Sequence, residues 1–338
     1  VLSMIPATVL PVRAAEPKGT DTGGVTLGMP AASYDVSTQS ADIEIKSGGT
    51  YVLTGTKEGI SVIVNTADPV VLVLRGLTLS NVRSPIQLAA NANVTLVLPE
   101  GSANTLTCTS DTLDAATTAA QGATTAKTAG INVPLGASLT IDRDAASTVY
   151  GALTVTGGYG GAGIGGGAGV GLNDAKKGNN AARGATGGTA TVQYGGTTPS
   201  GQGWSGTLGR GGRFGNDAES AGSITINSGK LTVNAGDGGA GIGGGRGADG
   251  EAATESTQTT PAGTSEDYFK KSPPTTRQTK NRGNELLRVS GAPGTGGASG
   301  ANGGTGGDAG DGGMVVITGG ELSVQGKNAP GIGGGVLL

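Results

Sequence analysis

Histidine is absent from all 338 residues of this chain. That one absence removes Ser-His-Asp and Cys-His nucleophilic catalysis together with histidine-ligated zinc. Any acid–base chemistry has to use carboxylates, Lys, Arg or Tyr. Cysteine occurs once, as Cys108, so no intrachain disulfide can form. It sits in the alternating run Thr105–Thr109 and is expected to be a buried, inert thiol. Aromatic residues make up 3% of the chain and charged residues 14%, both low for a globular domain. The net charge of −3 offers no electrostatic footprint for nucleic acid or an anionic membrane. Nor does any run reach the apolar length of a membrane span.

What the chain has instead is glycine, 69 residues of it. The pentapeptide Gly-Ile-Gly-Gly-Gly recurs within Gly161–Gly167, Gly239–Gly245 and Ala329–Gly335. Ahead of the second copy lies Ser223–Val233 and ahead of the third Met314–Val324, each a short alternating strand, a glycine turn and a second alternating strand. Ala129-Gly130-Ile131 is read as a degenerate copy of the same corner. Glycine is the costliest residue to order, so such runs imply positive φ or a neighbouring backbone too close for a Cβ. Both conditions arise where successive layers of chain lie on one another at the strand spacing of about 4.8 Å. The isoleucines Ile164, Ile242 and Ile332 then point inward as a column, and each unit completes the core of the next. The expected fold is all-β, a parallel β-helix or related β-solenoid. A compact β-sandwich is the rival, because the spacing of the predicted strands suits either.

Domain organisation follows composition. Residues 1–15 read as part of a secretory signal peptide, with a small-residue cleavage pattern at Val12-Arg13-Ala14. Residues 16–39 form a polar linker, and 40–338 a single β domain. The third motif stands close to Leu338 with no capping segment after it, so the chain reads as a fragment of a longer exported protein. Insertions are expected at about 111–128, 171–221 and 246–313, where Gly, Thr, Ser, Ala and Asn dominate and no core can be buried. Between them the strand pattern is clear, beginning with Ala41–Gly55, which alternates, turns at Gly48-Gly49 and alternates again.

The runs GGTYVLTGT (Gly48–Thr56), VVLVLRGLTL (Val70–Leu79), Ser84-Pro85-Ile86 and VTLVLPEGSANTL (Val94–Leu106) resemble secreted carbohydrate-binding β-helix proteins of clostridia and their relatives. The resemblance covers roughly residues 40–145, and the GIGGG continuation is similar to glycine-rich relatives. It implies a right-handed parallel β-helix with long glycine-rich loop excursions. It also implies a non-catalytic role in binding acidic plant-wall polysaccharide, with bound calcium. The matching motifs shape a fold rather than a site, and no calcium-ligand motif carries over residue by residue.

Residue chemistry narrows the site. GAGIGGG formally matches G-x-G-x-x-G, but no helical period follows it and the motif recurs where again no helix is expected, so it reads as a structural corner. Calcium is the most plausible ion, because aspartates and backbone carbonyls in loops are hard oxygen donors. Asp237 and Asp249 lie in glycine-rich segments near the repeats, as do Asp308 and Asp311, and Asp142 with Asp144 forms a D-x-D pair. Asp142, Asp144, Asp237 and Asp249 are the candidate metal ligands. Trp204, set between glycine and serine, is the candidate for stacking on a sugar ring. Arg210, Arg213 and Arg246 are the candidate contacts to an acidic glycan. The favoured function is an exported, non-catalytic carbohydrate-binding or adhesive protein at the cell surface. The alternatives are a β-helix polysaccharide lyase, which can work with calcium and an Arg or Lys base, and a structural surface stalk.

Overall fold

The computed structural model describes residues 24–111, 124–170, 172–177, 213–249, 266–269, 286–289 and 307–336. The chain divides into two compact units. One comprises Val1–Asn173, Gly215–Asp249 and Gly306–Leu338; the other comprises Asp174–Phe214 and Gly250–Thr305. In the second unit Glu266–Phe269 pairs antiparallel with Leu286–Val289. Among the described residues the helical content is one 3-10 turn, Val36–Thr38. The Asp35 carboxylate caps that turn, accepting from the Ser37 N–H at 3.0 Å and the Ser37 hydroxyl at 2.6 Å. Those bonds hold its pKa below the ordinary carboxylate range.

The first unit is dominated by two parallel sheets, beside which Thr125–Ala126 pairs antiparallel with Ala168–Gly169. Short apolar segments make the smaller, seven-stranded one: Ile43–Ile45, Val62–Val64, Ile86–Leu88, Ile131–Asn132, Ile164–Gly165, Ile242–Gly243 and Ile332–Gly333. Its register sets Ile131, Ile164, Ile242 and Ile332 directly over one another, so Ala129-Gly130-Ile131 does share the corner of the full motifs. The residue after each full-motif isoleucine is a glycine with positive φ, +140° at Gly165, +141° at Gly243 and +144° at Gly333. Here the backbones approach too closely for a side chain: a Cβ on Gly165 would stand 2.0 Å from the Gly243 carbonyl oxygen. Ile164 and Ile242 are fully buried between neighbours.

The larger sheet has eleven strands. Nine lie in the order Met314–Ile317, Ser223–Ile226, Ser138–Asp142, Asn93–Val97, Val70–Asn81, Ala103–Cys108, Ala152–Thr156, Lys230–Asp237, Glu321–Lys327, and the sheet they form curls into a half-barrel. Gly49–Glu58 pairs with Val70–Asn81, and Ala32–Asp35 with Gly49–Glu58. Period-two alternation decides the facing. Leu79, Leu106, Val155 and Val233 are buried in one hydrophobic core, while Thr78, Thr105, Thr154 and Thr232 stay partly exposed outside it.

This arrangement corrects the expected right-handed parallel β-helix with loop excursions. A β-helix requires separate sheets divided by corners, whereas here two of the expected faces merge. Val70–Asn81 pairs with Asn93–Val97 through its first half and with Ala103–Cys108 through its second. The bend between the halves is absorbed without breaking the strand. Gly76 takes φ +72°, the facing strand shifts register between Thr54 and Gly55, and the Leu77 N–H donates to Asn104 Oδ1 at 2.9 Å. Hydrogen bonding therefore continues round the bend and one sheet results. The β-sandwich rival also fails, because every pairing within these two sheets is parallel.

Cys108 is buried on the inner side of its strand, its thiol facing the Val82 carbonyl at 3.5 Å. Burial pushes its pKa up, because a thiolate there would lose its hydration. The folded state therefore holds the proton that the unfolded chain releases near pH 8.5. Stability from this source is complete below that pH and falls as pH rises through the folded-state value. Denaturant titrations should show an alkaline loss that Cys108→Ala lacks, and a thiol reagent should label the protein only after denaturant is added.

Candidate functional site

The bend that merges the two halves of the sheet also shapes its surface. Arg75 and Gly76 are pushed outward at the bend. Alongside them come the turn Pro99–Ala103 of one neighbouring layer and the turn Asp144–Ser147 of another, and together they line an open groove of about 710 Å³. Each wall is locally locked. Gly101 takes φ +69°, and the Ser102 N–H and hydroxyl both donate to the Pro99 carbonyl, at 3.1 and 2.7 Å. Asn104, 2% exposed, holds the floor: besides accepting from Leu77, its amide donates to Ser102 Oγ at 3.2 Å and to the Ala152 carbonyl at 3.1 Å. The Asp144 carboxylate accepts from the Ala146 N–H at 3.0 Å, and the Ser147 hydroxyl donates to Glu100 Oε2 at 2.6 Å, tying one turn to the other.

The groove therefore presents a guanidinium, two carboxylates and two hydroxyls on rigid turns. Such a set can donate to and accept from a hydroxyl-rich ligand at several points. A smaller groove of about 570 Å³ lies at the other end of the same strands, lined by Glu58, Gly59, Ser80–Arg83 and Thr109.

The predicted site residues scatter. Asp144 lines the larger groove, but its D-x-D partner Asp142 turns inward and is buried. There Asp142 accepts from the Arg143 N–H at 2.7 Å, Ser228 Oγ at 3.0 Å and Asn227 Nδ2 at 3.1 Å, bonding one layer to the next. Asp237 accepts from Asn328 Nδ2 at 2.6 Å. Asp249 pairs with Arg246 at 2.6 Å. Among the described residues no three His, Cys, Asp or Glu side chains gather as a metal site. Arg246 is 5% exposed, with its guanidinium over the Tyr159 ring at 5.2 Å and bonded to the Tyr159 hydroxyl, so its charge faces the protein interior. Arg213 opens the strand Arg213–Gly215. Trp204 and Arg210 lie outside the described residues.

Sequence reasoning passed over Arg75, Glu100, Ser147 and Asn104. The readable signal was Arg75-Gly76 interrupting the apolar run Val70–Leu79, and Gly101 after Pro99-Glu100. It also passed over Glu219. That carboxylate accepts from Lys127 Nζ at 2.5 Å, Asn132 Nδ2 at 2.5 Å and the Gly167 N–H at 3.1 Å, closing the glycine corner from outside.

Comparison with known proteins adds three findings. A family model described as "carbohydrate-binding domain-containing protein" matches residues 39–260, a span that includes the groove. No curated protein matches the chain. Among solved structures, the chain is similar to a polysaccharide lyase-like protein from C. thermocellum, determined as a gadolinium derivative. The two are 18% identical, with a TM-score of 0.31 over 60% of this chain and 56% of that one.

Proposed function

Because this chain belongs to the family of carbohydrate-binding domain-containing proteins, we propose that it is an exported, non-catalytic binder of polysaccharide whose primary contact is the Arg75–Glu100–Asp144 groove. Family membership across residues 39–260 is the observation that carries this reading. The groove supports it, offering rigid donors and acceptors at an open surface rather than an enclosed pocket. Were calcium to bind at the groove, the Glu100 and Asp144 carboxylates would be the side chains that hold it, and it would supply positive charge there for sugar oxygens. Export and display at the cell surface agree with the leader-like residues 1–15.

A polysaccharide panel probed with the purified chain, with and without a calcium chelator, tests the reading. Retention on at least one polysaccharide is the expected result. Arg75→Ala should weaken that retention roughly tenfold, the worth of one charge-assisted hydrogen bond. Asp144→Asn keeps the turn's acceptor and should weaken binding less. Accumulation of unsaturated, ultraviolet-absorbing products would overturn the non-catalytic assignment, and retention unaffected by either substitution would move the contact away from the groove.

A further inference from the structure

We propose that the last described layer of the first unit is a self-association surface, through which two copies of this chain pair about a two-fold axis, edge strand to edge strand. The two ends of the stack differ. At the first end the core is closed: Ile43, Ile45 and Val36 are buried, and Ala32–Asp35 pairs along Gly49–Glu58. At the other end Met314–Ile317, Glu321–Lys327 and Ile332–Gly333 each terminate their sheet, with no strand beyond them among the described residues. Ile332 is 39% exposed, whereas Ile242 one layer back is fully buried. Val315, Ile317 and Val324 are likewise only partly buried, next to the fully buried Ile224, Ile226 and Val233. One end of the apolar core and three free strand edges are thus left open in the same layer.

Glu321–Lys327 specifies a second copy as the occupant. The Glu321 N–H donates back to the Gly229 carbonyl at 2.9 Å. Backbone groups alternate sides along a strand, so Leu322, Val324 and Gly326 turn theirs toward the open edge. An antiparallel second copy centred on Val324 satisfies all three: Val324 exchanges both bonds with its own equivalent, and Leu322 with Gly326. The same register sets Glu321 opposite Lys327 of the second copy, once at each end of the contact. Both side chains lie on the outer, exposed side of the strand, where opposite charges across an antiparallel pair attract. Within its own chain Lys327 makes no ion pair among the described residues, and Glu321 has only the solvent-exposed contact with Lys230 at 3.4 Å. Leu322 and Val324 lie on the inner side, so the pairing also brings the two open core ends together. A two-fold contact uses the same edge on both copies, so association stops at two.

The test is analytical ultracentrifugation of the whole chain over a wide concentration range. Wild type should show a monomer–dimer equilibrium with nothing larger. Glu321→Lys and Lys327→Glu each put like charges opposite one another at both ends of the contact. Either alone should weaken the dimer at least about tenfold. Mixed in equal amounts, the two variants regain opposite charges and should form a mixed dimer as tight as that of wild type. The double variant Glu321→Lys, Lys327→Glu should also dimerise like wild type, which guards against damage to the fold by either change. A wild type that stays monomeric throughout overturns the proposal. A dimer retained by both single variants does so too, since the contact then lies elsewhere. Weakening without recovery on mixing removes the register centred on Val324, and assembly that keeps growing with concentration removes the two-fold contact.

Discussion

Gly243→Ala is expected to unfold the stacked corner at the cost of about 3–5 kcal/mol, seen as a fall of roughly 10 °C in thermal midpoint. Two effects add. The backbone stands at φ +141°, a region L side chains rarely adopt, which costs about 1–3 kcal/mol. The new Cβ would also meet the Gly333 carbonyl oxygen at 1.7 Å and the Gly312 Cα at 3.2 Å, both backbone atoms that no rotamer change can remove. Relief requires prising one layer off the next, which breaks the parallel hydrogen bonds between Ile242–Gly243 and Ile332–Gly333. Gly59→Ala separates the contributions. Its φ is +79°, but nothing lies within 4 Å of the added methyl, so the loss should be near 1 kcal/mol. Equal losses at the two positions would mean that backbone contact between layers contributes nothing.

Glu219→Ala is the second large effect, expected at about 2–4 kcal/mol in urea titrations. The carboxylate satisfies the Gly167 N–H and the amide of Asn132, which is 0% exposed. Without it, that amide keeps only the longer bond to the Gly165 carbonyl at 3.3 Å. Each buried donor left without an acceptor costs about 1–3 kcal/mol. Glu219→Gln retains one acceptor and should lose roughly half as much. Lys127→Met tests the charge pair alone, and because Lys127 is partly exposed the expected loss is under about 1 kcal/mol. A large loss in Lys127→Met with little in Glu219→Gln would reverse this assignment of roles.

These two residues mark the limits of what can be read from sequence. Gly243 was legible: a costly residue recurring in the same frame three times implies a shared geometric need, and the in-register isoleucines are its consequence. The strands flanking Gly48-Gly49 were legible for the same local reason, turn residues between alternating runs. How strands join into sheets was not. Whether Arg75-Gly76 ends a strand or merely bends it depends on Asn104, 27 positions later, taking up the Leu77 N–H. No periodicity reports such a long-range bond, and the expected β-helix foundered on it. Glu219 was hidden in a stretch whose Gly, Ala and Ser composition promised no core, because its partners at Lys127, Asn132 and Gly167 are brought together only by folding. The D-x-D pair shows the same limit at the site. Strand alternation alone would put Asp142 and Asp144 on one side. Because the strand ends at Asp142, the two separate, one bonded inward to Ser228 and the other left at the groove.

Hydrogen–deuterium exchange with and without a bound oligosaccharide tests the central claim most directly, since backbone amides report contact without any substitution. Amides of Arg75–Gly76, Gly101–Ala103 and Asp144–Ser147, which line the groove, should slow on binding. Slowing confined to Asp174–Phe214 and Gly250–Thr305, with the groove unchanged, would place sugar recognition in the other unit and contradict the account.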